Sequence, residues 1–412
     1  MSCSGFYMIP VDQSFPKQTT IVSSPRQLLI LLILLAAGSL NAVTGNVVSP
    51  VFPEVVEQFQ IDPRWAGLLV SMHTLTIALF SPLLGILADR AGKLKVLTPS
   101  LILYAVFGAS GALMQGFVPL LATRALVGAA SGGIAAASIG LVSSMYEGEA
   151  RSRIMGYATS ALATASIIFP LLGGWVGSFH WRFAFCLYGL GLPVALAAIL
   201  ILREEHPQRT VMIDLSQTQQ LSKRLRQPDI LTFFLALGLA SAIFFVVVVY
   251  APLYFKAAIG AGPVVNGAIL ASRAVGAALI SALGASRLAR WLGVTPSITL
   301  GFMLMALTLV TIPFLDQVQW IFLTAFLFGI GFGIVMPNLY ISLSERSSPD
   351  QRTGILAIGT GAASIGQFVS PILLGPIWKN AGVAVFYVAA GVAIAIGVLA
   401  LLAQKKLKST HP

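Results

Sequence analysis

The sequence predicts an all-α membrane protein, with twelve transmembrane helices in two pseudo-symmetric six-helix bundles. Three observations carry that prediction. Hydrophobic residues make up 57% of the 412 residues and charged residues only 9%, whereas a soluble domain carries about 25% charged residues. A chain this poor in charge cannot cover a water-facing surface. Apolar runs then follow one another along the chain, each near the roughly 20 residues that a spanning helix needs. Finally, the second half repeats the first at one constant spacing. RLARWLG at 287–293 matches ILADRAG at 86–92, and the same offset pairs Gly128 with Gly329, Gly132 with Gly333, Arg151 with Arg352, Pro170 with Pro371 and Gly174 with Gly375. A Gly-rich chain yields single coincidences cheaply, but not matches at one offset in three separate regions.

Residues 1–27 form a polar leader containing Lys17 and Arg26, expected to be a disordered tail. The first apolar run, 28–50, is too long for the core of a signal peptide, about 7–15 residues, and reads as a retained first span with Asn41 as a polar point. Spans two to six follow at 64–88, 95–114, 117–145, 152–177 and 181–202. They complete a bundle over 28–202. Residues 203–229 are the longest polar interior segment and read as a linker. The second bundle, 230–404, holds spans at 230–253, 264–286, 295–315, 318–343, 352–378 and 383–403, and residues 405–412 close the chain as a short tail. Backbone groups inside lipid must be satisfied within the segment, so the spans are helices.

The placement of Lys and Arg sets the orientation. With a cytoplasmic N-terminus, the cytoplasmic side collects Lys17, Arg26, Arg90, Lys93, Lys95, Arg151, Arg153, Arg287, Arg290, Arg346, Arg352, the basic residues of the linker and those of the C-terminal tail. The far side keeps only Arg64, Arg182, Lys256 and Lys379. Both termini are therefore expected in the cytoplasm of a multi-pass protein of the cell membrane. A net charge of +11 does not imply nucleic acid, because the basic residues sit in short loops and form no basic domain. The two cysteines, Cys3 and Cys186, supply no disulfide framework. Neither a metal-ligand spacing nor a nucleophile–base constellation stands out, so the sequence makes no case for an enzyme, a cofactor or a metal.

Polar residues inside the spans are the candidate site. A charge at membrane depth costs several kcal/mol and usually faces the protein interior. Arg124 lies in the fourth span and Arg273 in the eighth, and neither has an evident acidic partner, because no acidic residue lies deep in any span. His73, in the second span, is the one histidine inside a span; alone it reads best as a neutral, hydrogen-bonded side chain. Asn41, Asn338 beside Pro337, and Gln367 are further polar points. Taken singly, each reads as a polar contact in helix packing rather than a ligand contact. Phe244, Phe245 and Tyr250 in the seventh span are either cavity walls or lipid-facing residues. For Arg273 two readings stand level: satisfaction by backbone and hydroxyl groups, or readiness for an anionic ligand.

The turn after the second span carries Gly85, Leu87, Ala88, Asp89, Arg90, Gly92, Lys93 and Lys95. It resembles the loop between helices 2 and 3 of the major facilitator superfamily of secondary transporters. LLATRALVGAASGG resembles that family's helix-4 motif, with Arg124 and Gly128 in place. FPLLGGWVG resembles the helix-5 motif of its proton antiporters through Pro170, Gly173 and Gly174, although Ala165 and Phe169 stand where two earlier glycines belong. Together with WRFAF at the start of the sixth span, these similarities point to the twelve-helix drug/proton antiporter branch. Several expectations follow from the resemblance. The chain would work by alternating access, one bundle rocking against the other around a midplane site, as a monomer in the bilayer. It would export drug-like or small organic compounds and use protons as the coupling ion. Asp89 would close the cytoplasmic gate by meeting the start of the eleventh helix, near 351–354, with Gly85, Arg90, Gly92 and Lys93 completing the switch. Arg124 would take part in proton coupling. Asn41, Arg124 and Asn338 would face the cavity, since helices 1, 4, 7 and 10 line it in the family. Two alternatives remain: a transporter of an organic anion or neutral metabolite with Arg124 and Arg273 as counter-charges, and a membrane sensor that transports nothing, for which the polar segments are too short to form a signalling domain.

Overall fold

The structure, a computed structural model, describes residues 25–146, 148–202 and 223–409. Most of the expected tail 1–27 and linker 203–229 therefore lies outside the described residues, as do Lys17, Arg203 and Arg209.

Twelve helices are long and apolar enough to span. In chain order they are α1 Pro25–Gln58, α2 Pro63–Ala91, α3 Lys93–Leu113, α4 Phe117–Met145, α5 Gly148–Phe179, α6 Trp181–Ile201, α7 Pro228–Ile259, α8 Pro263–Leu283, α9 Val294–Phe314, α10 Val318–Glu345, α11 Gln351–Ala381 and α12 Ala384–Leu402. Because twelve is an even number, α1 begins and α12 ends on one face, the termini face. The opposite face is the far face.

Two boundaries depart from the sequence reading for local reasons. The first span does not stop near Pro50. A 3-10 turn, Ser49–Val51, carries the chain into a further helix, Phe52–Gln58, with a proline at its start, where a missing N–H costs nothing. That extension places Glu54 and Glu57 on the far face. In the second bundle, α8 breaks at Gly284 and restarts as a short helix, Ala285–Leu292. In the first, α2 runs unbroken through Ala91. The repeat returns one residue later. Gly92 and Gly293 occupy equivalent positions, and both hold positive φ, 113° and 91°, a conformation that an L side chain rarely adopts.

Packing follows the same two-fold logic. In the first bundle α4 packs on α2 and α3, and α5 on α1; in the second α10 packs on α8 and α9, and α11 on α7. Gly128 and Gly132 allow α4 to lie directly on the α2 backbone at His73 and Ser81, and Gly329 and Gly333 do the same for α10 on α8 at Arg273 and Ala277. Small residues at such crossings let helix backbones approach in a medium that offers no hydrophobic drive.

The bundles meet along two pseudo-equivalent seams. A Cβ on Gly174 of α5 would run into the carbonyl of Pro263 at the start of α8, and one on its repeat partner Gly375 of α11 would run into the carbonyl of Arg64 in α2. Gly267 lies against the Pro170 carbonyl and Gly67 against the Pro371 side chain. These contacts fall toward the far face, where α5 and α11 end and α8 and α2 begin.

Candidate functional site

On the termini-face side of the α5–α8 seam the bundles part around a cavity of about 800 Å³. Its walls come from Thr159, Ser160 and Ser166 of α5, Arg273 and Ser281 of α8, Phe332, Met336 and Tyr340 of α10, with Asn46 of α1 and Phe244 of α7. Alanines 274, 277, 278 and 282, Leu162 and Ala163 of α5, and Gly156, Gly333 and Pro337 complete the lining. The volume lies within the range of about 300–1,000 Å³ common for small-molecule sites. Arg273 is the one charged side chain among the lining residues, and none of them is acidic.

Arg273 is buried, at 4% exposure. Its guanidinium carbon stands 4.1 Å from the Phe244 ring centre, and Phe244 stacks on Phe332 at 4.4 Å with an interplanar angle of 27°. Its Nε and Nη1 have no hydrogen-bond partner among the described residues. Helix α8 presents the residue, and Gly329 lets α10 lie against its backbone carbonyl.

Arg124 is placed differently. It is 1% exposed, inside the first bundle and not among the residues lining the cavity. Its Nε donates to the Leu69 carbonyl at 3.3 Å, and its two terminal nitrogens donate to the Tyr188 hydroxyl and the Thr44 carbonyl. Tyr188 in turn donates to the Thr44 carbonyl at 2.8 Å. The Thr44 and Ser131 hydroxyls lie 2.9 Å apart. Arg124 thus binds together α1, α2, α4 and α6.

The remaining sequence candidates do not gather around the cavity either. His73 is buried against Gly45 of α1, and its Nδ1 lacks a partner. Asn338 is 1% exposed and donates to the Ile334 carbonyl one turn back, at 2.8 Å. Asn41 donates to the Gly38 carbonyl at 3.2 Å. Gln367 is half-buried on α11. Pro170, Gly173 and Gly174 sit at seams: Gly173 against the Val47 backbone of α1, the other two against α8. Of the three α7 aromatics, Phe244 is the cavity wall, while Phe245 and Tyr250 are buried in the bundle.

At the expected gate, Gly85 lies 3.7 Å from the Ala136 side chain, measured to where its Cβ would be. Ala88 is buried while Asp89 and Arg90 are exposed. No hydrogen bond or ion pair joins Asp89 to α11 among the described residues. Lys93 begins α3 and packs along Gly140 of α4.

The far face is held instead by charges that sequence reasoning did not pair. Lys256 at the end of α7 meets Glu54 at 3.1 Å and Glu57 at 2.7 Å, both on α1. Lys379 at the end of α11 meets Asp62 at 2.9 Å, just before α2. In each of the pairs that cross between the bundles the first bundle supplies the acid and the second the base. The side chain and backbone N–H of Arg64, and then Lys379, hold the Asp62 carboxyl well below the usual carboxylate range. Thr74 of α2 also donates to the Ser364 carbonyl of α11 at 3.2 Å. Among the described residues the bundles are therefore joined at the far face and part around the cavity on the termini-face side.

Comparison with known proteins agrees with this architecture. The family model described as Major Facilitator Superfamily matches residues 34–371 and 233–412. Quinolone resistance protein NorA of Staphylococcus aureus (strain MSSA476) is 24% identical over 367 residues, covering 88% of this chain and 92% of that protein. Multidrug transporter protein MdtP of Bacillus subtilis (strain 168) is 22% identical, covering 84% of this chain and 74% of its own length. Among solved structures, a D-xylose-proton symporter superposes with a TM-score of 0.74 at 17% identity, covering 91% of this chain and 96% of that one. An inward-facing, occupied bacterial homolog of the human lysosomal transporter Spinster gives 0.73 at 17% identity, with 93% and 96% covered. At such identity the two structures establish the fold alone.

Proposed function

The chain belongs to the Major Facilitator Superfamily, and from that premise we propose that it exports small amphipathic organic compounds across the cell membrane by proton-coupled alternating access. The observation that carries the proposal is the cavity of about 800 Å³ between the bundles, sealed from the far face by the α5–α8 and α2–α11 seams and their ion pairs. A midplane site with access from one face at a time is what rocking of one bundle against the other requires. The relatives named for quinolone resistance and multidrug transport favour export of drug-like compounds. The Lys and Arg bias makes the termini face cytoplasmic, so this conformation is the one that would load substrate from the cell interior.

Everted membrane vesicles carrying the protein test the proposal. With an imposed proton gradient, acid inside, the vesicles should accumulate lipophilic compounds from a panel of neutral, anionic and cationic members, and a protonophore should abolish the accumulation. Accumulation of nothing, or accumulation indifferent to the gradient, would refute proton-coupled export. Epitope tags at the N-terminus, within 206–226 and at the C-terminus should all report cytoplasm. A far-side signal from the central tag would reverse the assigned direction of access.

A further inference from the structure

Arg273 is a buried cation without a counter-charge. It lines the cavity at 4% exposure, and its Nε and Nη1 are shut off from solvent with no partner. No acidic residue lines the same cavity. Arg124 shows what a satisfied arginine looks like in this protein, with carbonyls of Leu69 and Thr44 and the Tyr188 hydroxyl on its three nitrogens. Arg273 has only the face of Phe244, and a ring face compensates a cation partly. A desolvated charge left in that condition is costly, and an anion entering the cavity removes the cost.

The surroundings define the shape of that anion. Phe244 and Phe332 form a stacked aromatic pair directly beside the guanidinium. Met336, an adaptable apolar side chain, lines the same wall. A flat apolar body fits there, with its charged group at Arg273.

We infer that Arg273, Phe244 and Phe332 form a recognition site for amphipathic aromatic organic acids, whose carboxylate or sulfonate meets Arg273 while the ring system lies along the phenylalanines. The inference rests on the export proposal for its biological meaning, but binding is measured separately from transport. Quaternary ammonium dyes should be poor ligands of this site, since like charges repel strongly at low dielectric.

The test uses the full chain in nanodiscs of zwitterionic phosphatidylcholine, with 8-anilinonaphthalene-1-sulfonate as the fluorescent probe and N-phenyl-1-naphthylamine as its uncharged counterpart. The sulfonate should bind saturably and about tenfold or more tighter than the neutral amine. In the wild-type protein 2-naphthoate should displace it at about tenfold lower concentration than 2-naphthamide, which matches it in size without the charge. Arg273→Gln should weaken sulfonate binding by about tenfold while neutral-amine affinity stays within roughly twofold, and Arg273→Lys, which keeps the charge but loses the planar stack on Phe244, should restore part of the loss. Equal displacement by the acid and the amide would overturn the inference, and so would unchanged sulfonate affinity in Arg273→Gln. The competition needs no variant and so does not depend on variant folding. If gradient-driven movement of N-phenyl-1-naphthylamine into everted vesicles persists while the acid shows no advantage, the anion site falls and export stands. If Arg273-dependent binding holds while nothing moves, export falls and the site stands.

Discussion

Arg124 in the first bundle and Arg273 in the second are both almost fully buried at membrane depth, yet their surroundings are opposite. Every nitrogen of Arg124 is spent on a carbonyl or hydroxyl from α1, α2 or α6, so its charge ties helices together. Arg273 has an aromatic face, and its Nε and Nη1 find no hydrogen-bond partner among the described residues. Neither arginine has a counterpart in the other half, since Ala325 stands at the repeat position of Arg124 and Met72 at that of Arg273. The repeat supplies two similar frames, and the unpaired positions within them differ in role. In the first bundle the added charge is bonded to neighbouring helices; in the second it lines the cavity.

The sharpest way to break this comparison is to remove each charge in turn. Arg124→Leu takes away hydrogen bonds from a charged donor, each worth about 1.5–3 kcal/mol, so folding stability should drop by roughly 3 kcal/mol or more and the thermal transition should fall by several degrees. Arg273→Leu should leave the transition where it is or raise it, because a buried unpaired charge is lost together with its desolvation cost. Thermal unfolding of both variants in nanodiscs decides the matter. An Arg273→Leu protein less stable than Arg124→Leu would invert the assignment.

That difference was invisible in the sequence, and the reason is physical. Hydropathy and constant spacing depend on local composition and on the repeat, so they located the twelve spans, the Gly128/Gly329 and Gly174/Gly375 contacts and both buried arginines. What a buried arginine touches depends on side chains brought in from elsewhere. Thr44 and Tyr188 lie far from Arg124 along the chain and meet it only after α1 and α6 have packed. The far-face pairs show the same limit. Glu54, Glu57, Lys256 and Lys379 read individually as residues of one face, but Lys379 and Asp62 come from opposite ends of the chain. The cavity lining was partly legible: Arg273 and Phe244 were visible as candidates, whereas Asn46, Phe332 and the α5 hydroxyls carry no signal that separates them from packing residues. The extension of α1 past Pro50 is not legible in the apolar run, because Glu54, Glu57 and Gln58 interrupt the apolar pattern while a 3-10 turn and a new helix start carry the chain on.

The two faces of the molecule offer a second comparison, intermediate in expected size. The far face is closed by several interactions, whereas Asp89 on the termini face is exposed and, among the described residues, not joined to α11 in this conformation. Its repeat partner is Arg290, so this acid has no duplicate in the second half. A carboxylate next to a helix N-terminus gains up to about 2 kcal/mol when partly buried, and a difference of that size shifts a two-state equilibrium by roughly tenfold or more. Asp89→Asn should therefore leave an inserted, folded protein that favours the present opening and has lost most of its transport. Cysteine labelling at cavity positions, read from the termini side, should rise. Transport at the wild-type rate would remove Asp89 from the gate.

The smallest effect is expected at the far-face ion pairs, and its size is itself the test. Lys256 with Glu54 and Glu57, and Lys379 with Asp62, link the bundles through charges that solvent reaches. Exposed pairs contribute little individually and weaken as salt screens them. The seams beneath them, Gly174 on Pro263 and Gly375 on Arg64, do not depend on charge. Lys256→Gln with Lys379→Gln should thus raise labelling from the far side only about twofold to fivefold at low ionic strength, with the excess vanishing near ~0.5 M salt. The pH response follows from the sign of the Asp62 shift. Its pKa is lowered by Arg64 and Lys379, so its contribution to closure is complete above the ordinary carboxylate range and is lost only as pH falls through the lowered value. Between about pH 5 and 8 the Asp62–Lys379 pair should not respond to pH at all. Far-side opening that tracks acidification across that window, in the wild type but not in Asp62→Asn, would show that this pair senses the proton gradient. Opening by far more than fivefold in the double lysine variant would show that charge, and not the glycine seams, keeps the far face shut.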